Sequence, residues 1–249
     1  MNSFSVAPVT PVVKKLLIAN IAIWFLIQII LDRFFGFQGW RNLILVPELV
    51  IEKFYIWQLV TYMFFHAVSP THILFNMLML WFFGSELEKT WGSKFFTVYY
   101  FFTGTAAAVI YCLVVGIYSA STGFRPVIVT PVMGASGALF GLLIAYGILF
   151  SERVIYFMGL FPLKAKYFVI IAGAVDMASL ITTGFSGSDV AYLAHLGGLV
   201  SGFLFLKGHV YYKRNMVASK LKRKSSNLRL VVDNEKPKSN EKQIGRAHV

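Results

Sequence analysis

The sequence predicts an all-α integral membrane protein, a bundle of six transmembrane helices with a membrane-embedded first loop, and three observations lead there. First, 57% of the 249 residues are hydrophobic and only 14% are charged, against about 25% charged residues in an ordinary soluble domain. Second, six apolar stretches are separated by short polar connections. Third, the basic residues alternate between connections in the way that sets membrane orientation. The net charge of +12 does not mark a nucleic-acid binder. Residues 207–249 hold twelve of the 23 Lys and Arg against Asp233, Glu235 and Glu241, so the preceding 206 residues carry only +3. Cys112 is the single cysteine, which excludes an intrachain disulfide.

Residues 1–13 read as a short cytoplasmic N-terminus, 14–206 as the helical domain, and 207–249 as a basic, disordered cytoplasmic tail drawn to anionic lipid. The first span covers 16–31, interrupted by Asn20 and Gln28, and no small-residue cleavage site follows it. The stretch from Phe54 to Phe65 is too apolar for a solvated loop and too short to span. It is expected to lie in the interface or to re-enter the leaflet, with Trp40, Trp57 and Tyr62 at headgroup depth. Further spans are expected at 72–85, 95–118, 132–150, 167–183 and 190–206. The connection between the fourth and fifth reads as a turn carrying Arg153, Pro162, Lys164 and Lys166, and that between the fifth and sixth as the polar run 184–188.

Under this assignment nineteen of the 23 basic residues fall on the side of the termini, which places both termini in the cytoplasm. Helices two, four and six then begin at the outer face and run inward. His72 and Asn76 open the second, Ser136 the fourth, and His195 lies early in the sixth. Three helices thereby deliver polar side chains to one depth.

That coincidence bears on Ser136. A small hydroxyl in a membrane helix commonly eases packing, and Ala138 breaks the Gly-x-Ser-x-Gly pattern of soluble hydrolases. A nucleophilic serine needs a base, and His195 is the candidate. Gly137, Gly141 and Ala145 form a stripe of small residues on helix four, Gly198 and Gly202 another on helix six, so the two backbones can approach closely. That approach makes a Ser136/His195 dyad geometrically accessible. His72 and Asn76, one turn apart, and the Ser136 backbone N–H are candidate donors to an oxyanion. Asn76 also reads as interhelical glue. Asp176 is the only acidic residue deep in a span and reads first as a hydrogen-bonding partner for a neighbouring helix, with third membership of a triad left open. The His66 to His72 spacing suits no intrahelical metal pair, and no metal or cofactor is expected.

Gly134-Ala135-Ser136-Gly137, His72-x-x-x-Asn76, Ala194-His195-x-x-Gly198-x-x-x-Gly202 and Glu88 ahead of Gly92 together resemble the rhomboid intramembrane serine proteases, over roughly residues 14–206. The resemblance implies a six-helix core, Ser136 as nucleophile, His195 as general base and acid, His72 and Asn76 around the oxyanion, and water reaching the site from outside. It implies a multi-pass protein of a cell membrane, the bacterial inner membrane being the expectation, acting on single-span membrane proteins within the lipid bilayer. Gln58 stands after Trp57 where many relatives carry arginine, and Phe140 stands where an aromatic ring would stack on the catalytic histidine. A non-catalytic rhomboid-like binder of membrane proteins is the alternative, and loss of Ser136 or His195 would be its mark. Both residues are present.

The charge asymmetry is directly measurable. Reporter fusions at Gly123 and Asn215 are expected to report opposite sides of the membrane, and agreement between them would overturn the orientation on which the common depth of the polar residues rests.

Overall fold

The computed structural model describes residues 8–157, 161–183 and 191–226; residues 184–190, with Asp189, and the tail beyond Ser226 lie outside them. The described residues up to Gly208 form one compact unit and those from His209 a second.

Among the described residues, six helices of fourteen residues or more organise the fold. α1 (Pro11–Phe35) starts with proline at its first position, where a missing N–H costs nothing, and widens to π-helical turns over Ile23–Leu31. α2 runs continuously over 70–91, again with a π-helical stretch at Leu80–Gly84. It stops at Gly92, whose φ of 79° permits a sharp turn straight into α3 (Ser93–Thr122). α4 is Ser136–Leu149, α5 Ala165–Thr183 and α6 Ala191–Ser226. Among the described residues, four helices are long and apolar enough to cross a membrane: Pro11–Phe35, Ser93–Thr122, Ala165–Thr182 and Ala191–Leu221. α4 is apolar but shorter.

Several boundaries differ from the sequence reading for local reasons. α4 begins at Ser136 rather than 132, because Val132 pairs in an extended backbone bridge with Leu45 and Gly134 takes a φ of 131°, which is incompatible with a helix. The connection after α4, read as a turn, holds a hairpin, β1 (Val154–Phe157) against β2 (Phe161–Lys164), consistent with its β-branched and aromatic residues. The tail expected to be disordered from 207 is helical as far as Ser226; Met216, Ala218, Lys220, Leu221 and Lys222 are good helix formers.

The first loop is folded against the bundle. Trp40 is buried and stacks on Phe65 with centroids 5.8 Å apart. Tyr62, expected at headgroup depth, is a core residue whose hydroxyl donates to Gly104 O at 2.8 Å. Trp57 remains exposed and its indole N–H donates to Asn42 O. Gln58 is fully buried, donating to Asn42 O and accepting from the Val46 N–H, so it staples the loop to itself.

Two contacts hold the framework. Glu88, 3% exposed, accepts from the N–H groups of Val12 and Val13 in the first turn of α1, from Thr10 Oγ1, and from Ser93 Oγ at 2.6 Å at the start of α3. One carboxylate thus caps α1 and ties it to the α2–α3 turn, where the positive end of the α1 dipole favours a negative charge. Burial alone would raise the Glu88 pKa, but the hydrogen bonds from Ser93, Thr10 and the two amides hold it below its ordinary 4.5. The second contact joins α4 to α6. A methyl group at Gly198 would lie 2.0 Å from Gly137 O, and one at Gly202 would lie 3.1 Å from Gly141 Cα and 2.6 Å from the Tyr99 hydroxyl.

A carboxylate whose folded pKa is depressed lends stability above its unfolded value and loses it as the pH falls through the folded one. Thermal unfolding of the wild-type protein should therefore show progressive destabilisation as the pH drops below 4.5. The Glu88→Gln protein should be less stable at pH 7, by about 1.5 to 3 kcal/mol for a charge-assisted hydrogen bond, and should lack that share of the acid loss. Gly198→Leu should drive α4 and α6 apart, because the clash is with backbone; a native melting temperature in that variant would show that the close approach is dispensable.

Candidate functional site

Ser136 is the first residue of α4, and its orientation is set by the extended segment before it. Val132 and Leu45 exchange both backbone hydrogen bonds, at 2.8 and 3.0 Å, and the Gly134 N–H donates to Tyr62 O at 3.1 Å. The first loop thereby fixes the approach to the helix. The Ser136 N–H lies in the first turn, where helix geometry leaves amides without an intrahelical acceptor.

His195 sits one turn into α6, and its ring lies flat on Phe140, centroids 4.4 Å apart and planes 9° apart. Phe140 is one turn beyond Ser136, so the same helix presents the serine and the surface that holds the histidine. The Tyr192 ring meets His195 edge-on at 6.2 Å. In this pose His195 Nε2 is 2.8 Å from Ser136 Oγ. Its Nδ1 is 3.0 Å from Asp176 Oδ2, on α5. The hydroxyl, the imidazole and the carboxylate are therefore joined in one line across three helices.

His72 approaches from the other side. The Ala67 N–H donates to His72 Nδ1 at 3.1 Å, so in the neutral ring the proton is on Nε2. That edge faces the serine: a methyl built on Gly134 would lie 3.2 Å from His72 Nε2 and 3.6 Å from Ser136 Oγ. Gly134 thus leaves open the space between the two groups, and its φ of 131° independently disfavours any other residue. Asn76 is buried, with one amide hydrogen donated to His72 O at 2.8 Å and a second N–H remaining on the same nitrogen.

The backbone that orients His72 is itself clamped by α1. Gln28, in the π-helical stretch, donates to His66 O at 2.7 Å and accepts from the His66 N–H at 3.0 Å, while Trp24 Nε1 donates to Ala67 O at 3.2 Å. In the sequence Gln28 reads only as an interruption of the first span. The signal was nevertheless there: a primary amide in a membrane helix has to pair both its donor and its acceptor, and a backbone peptide offers both. His66 is fully buried, and neither ring nitrogen has a hydrogen-bond partner among the described residues. Among the described residues no cluster of three or more His, Cys, Asp or Glu is arranged to hold a metal ion.

Comparison with known proteins gives the family. The family model described as the Rhomboid domain matches residues 53–211. Rhomboid-like protein 15 of Arabidopsis thaliana is 28% identical over 175 residues, covering 70% of this chain and 41% of that protein. Rhomboid protease GluP of Bacillus subtilis is 31% identical over 149 residues, 59% of this chain and 25% of that protein. Putative rhomboid protease YdcA of Bacillus subtilis is 29% identical over 167 residues, 66% of this chain and 73% of that protein. The chain thus spans about two fifths or less of the length of the first and second of these relatives and about three quarters of the third. With its family model covering more than half of the sequence, the chain belongs to the rhomboid family.

Proposed function

We propose that the protein is an intramembrane serine endopeptidase that cuts transmembrane or membrane-boundary segments of single-span proteins, with Ser136 as nucleophile and His195 as general base and acid. The observation that carries this reading is the 2.8 Å contact between His195 Nε2 and Ser136 Oγ. In the proposed reaction Nε2 accepts the Ser136 hydroxyl proton as Oγ attacks the scissile carbonyl, and then returns it to the leaving amine. A water molecule, deprotonated by the same nitrogen, then attacks the acyl-enzyme; the ester bond to Oγ breaks and Nε2 returns the proton to Ser136 Oγ. The developing oxyanion would be met by His72 Nε2–H, by the free amide hydrogen of Asn76 and by the Ser136 N–H. The opening left by Gly134 supports this placement, since a donor and the nucleophile both border it.

The proposed setting is a six-span protein with both termini cytoplasmic, the arrangement that the basic residues favour. Hydrolysis inside a bilayer requires polar groups and water enclosed by helices and open to one side. The substrate helix would have to unwind at the cut, so segments with glycine or proline near the membrane boundary are the expected substrates.

Initial rates on a model single-span substrate in liposomes test the reading. Ser136→Ala and His195→Ala should each abolish detectable cleavage, and the double variant should be hardly worse than either, because the pair acts as a unit. Asn76→Ala should retain activity reduced about a hundredfold to a thousandfold, as expected on removing one oxyanion donor. Cleavage surviving in a folded Ser136→Ala protein would defeat the proposal, and a wild-type protein that binds such substrates without cutting them would favour the non-catalytic alternative.

A further inference from the structure

Among the four described helices long and apolar enough to cross a membrane, α5 is the least buried. Ile170, Ile171, Val175, Met177 and Ile181 are between 47% and 74% exposed, as expected of a face turned to lipid. Its inward stripe, Ala165, Val169, Gly173, Asp176 and Leu180, follows helical spacing, and it approaches α6 closely enough that a methyl on Gly173 would lie 3.1 Å from the Leu199 side chain. Asp176 is the one charged residue on that stripe and is only 6% exposed. A carboxylate held inside an apolar helix bundle is costly unless it is paired. Its partner is His195 Nδ1, at 3.0 Å.

That partner chooses between two forms of the imidazole. A neutral histidine carries its proton on Nδ1 or on Nε2, and only the first leaves Nε2 with the lone pair that takes a proton from serine. Ser136 cannot make the choice, since a hydroxyl both donates and accepts. An ionised carboxylate only accepts, so it requires the proton to be on Nδ1. His72 shows the opposite arrangement: the Ala67 amide occupies its Nδ1 and leaves Nε2 as the donor. An ionised Asp176 would thus hold His195 in the tautomer opposite to that of His72, each ring being set by the group behind it. When His195 takes the serine proton and becomes cationic, the carboxylate also offsets the new charge.

We propose that Asp176 is a positioning residue that fixes the orientation and tautomer of His195, so that the site operates as a Ser136, His195, Asp176 triad assembled from α4, α6 and α5 rather than as a dyad. This rests on the serine-protease reading for its kinetic consequence but not for its structural one, and the test separates the two.

The structural arm is 15N NMR of the full-length protein, labelled at histidine, in detergent micelles. Wild type should show His195 protonated on Nδ1 and unprotonated on Nε2, and Asp176→Leu should lose that single tautomer while the His72 signals stay in place. A wild-type His195 protonated on Nε2, or a His195 tautomer unaltered in a folded Asp176→Leu protein, would overturn the proposal whether or not the protein cleaves anything. The kinetic arm uses Asp176→Asn and Asp176→Glu on the same single-span substrate. Asp176→Asn should lower kcat by about a hundredfold to ten-thousandfold with KM unchanged and the melting temperature retained, the upper end being the cost of the equivalent change in a serine protease triad. Asp176→Glu, which keeps the carboxylate, should recover to within about tenfold of wild type. A kcat within threefold of wild type in a folded Asp176→Asn protein would overturn the proposal. So would losses in both variants that track their melting temperatures, since that is the pattern of a purely structural residue.

Discussion

The close approach of α4 and α6 is the constraint from which the rest of the site follows. Gly137 and Gly198 meet backbone to backbone, with no room for a single methyl group between them. Hydrocarbon offers no hydrophobic reason for two helices to associate, so contact depends on packing, and packing this tight requires residues without side chains. Ser136 precedes Gly137 by one position and His195 precedes Gly198 by three. Once the glycines touch, the hydroxyl and the imidazole are brought within hydrogen-bonding distance, and Phe140, one turn along from the serine, supplies the flat surface on which the ring rests.

A second constraint is the need for every buried polar group to find a partner without water. Gln28, Glu88 and Asp176 are all buried, and each is paired. Gln28 holds the His66 peptide, Glu88 caps α1 and Asp176 meets His195. The first two act on backbone and the third on a side chain. These three polar residues therefore mark places where one element is held in a defined position relative to another. The first loop is part of the same system: it pairs with the segment before Ser136 at Leu45 and Val132, accepts from Gly134 through Tyr62, and orients His72 through Ala67.

The membrane character, the helical class and the placing of His72, Asn76, Ser136 and His195 on three different helices were legible in the sequence, because they rest on local properties. Hydropathy identifies apolar helices residue by residue, basic residues alternate between connections, and glycines at helical spacing announce close packing whatever their partner. Positions that depend on backbone conformation were less legible. The start of α4 was read four residues early, because Val132 and Gly134 look like helix to a hydropathy scale and only the pairing with Leu45 and the positive φ remove them from it. Tyr62 was assigned to the interface because aromatic residues collect there, whereas its hydroxyl reaches a carbonyl that Gly104 exposes in the core.

What the sequence determined by itself was which groups are available and on which helices they stand. Only the tertiary structure decided how they are oriented. Whether a buried aspartate faces His195 or another helix depends on how α5 turns against α6, and whether a histidine accepts or donates at Nε2 depends on the group that reaches its Nδ1. For His72 that group is the amide of Ala67, and for His195 it is the carboxylate of Asp176, nineteen residues away in the chain. Hydrogen-bond direction is a property of partners brought together by folding, and no periodicity along one helix records which partner a ring nitrogen will meet.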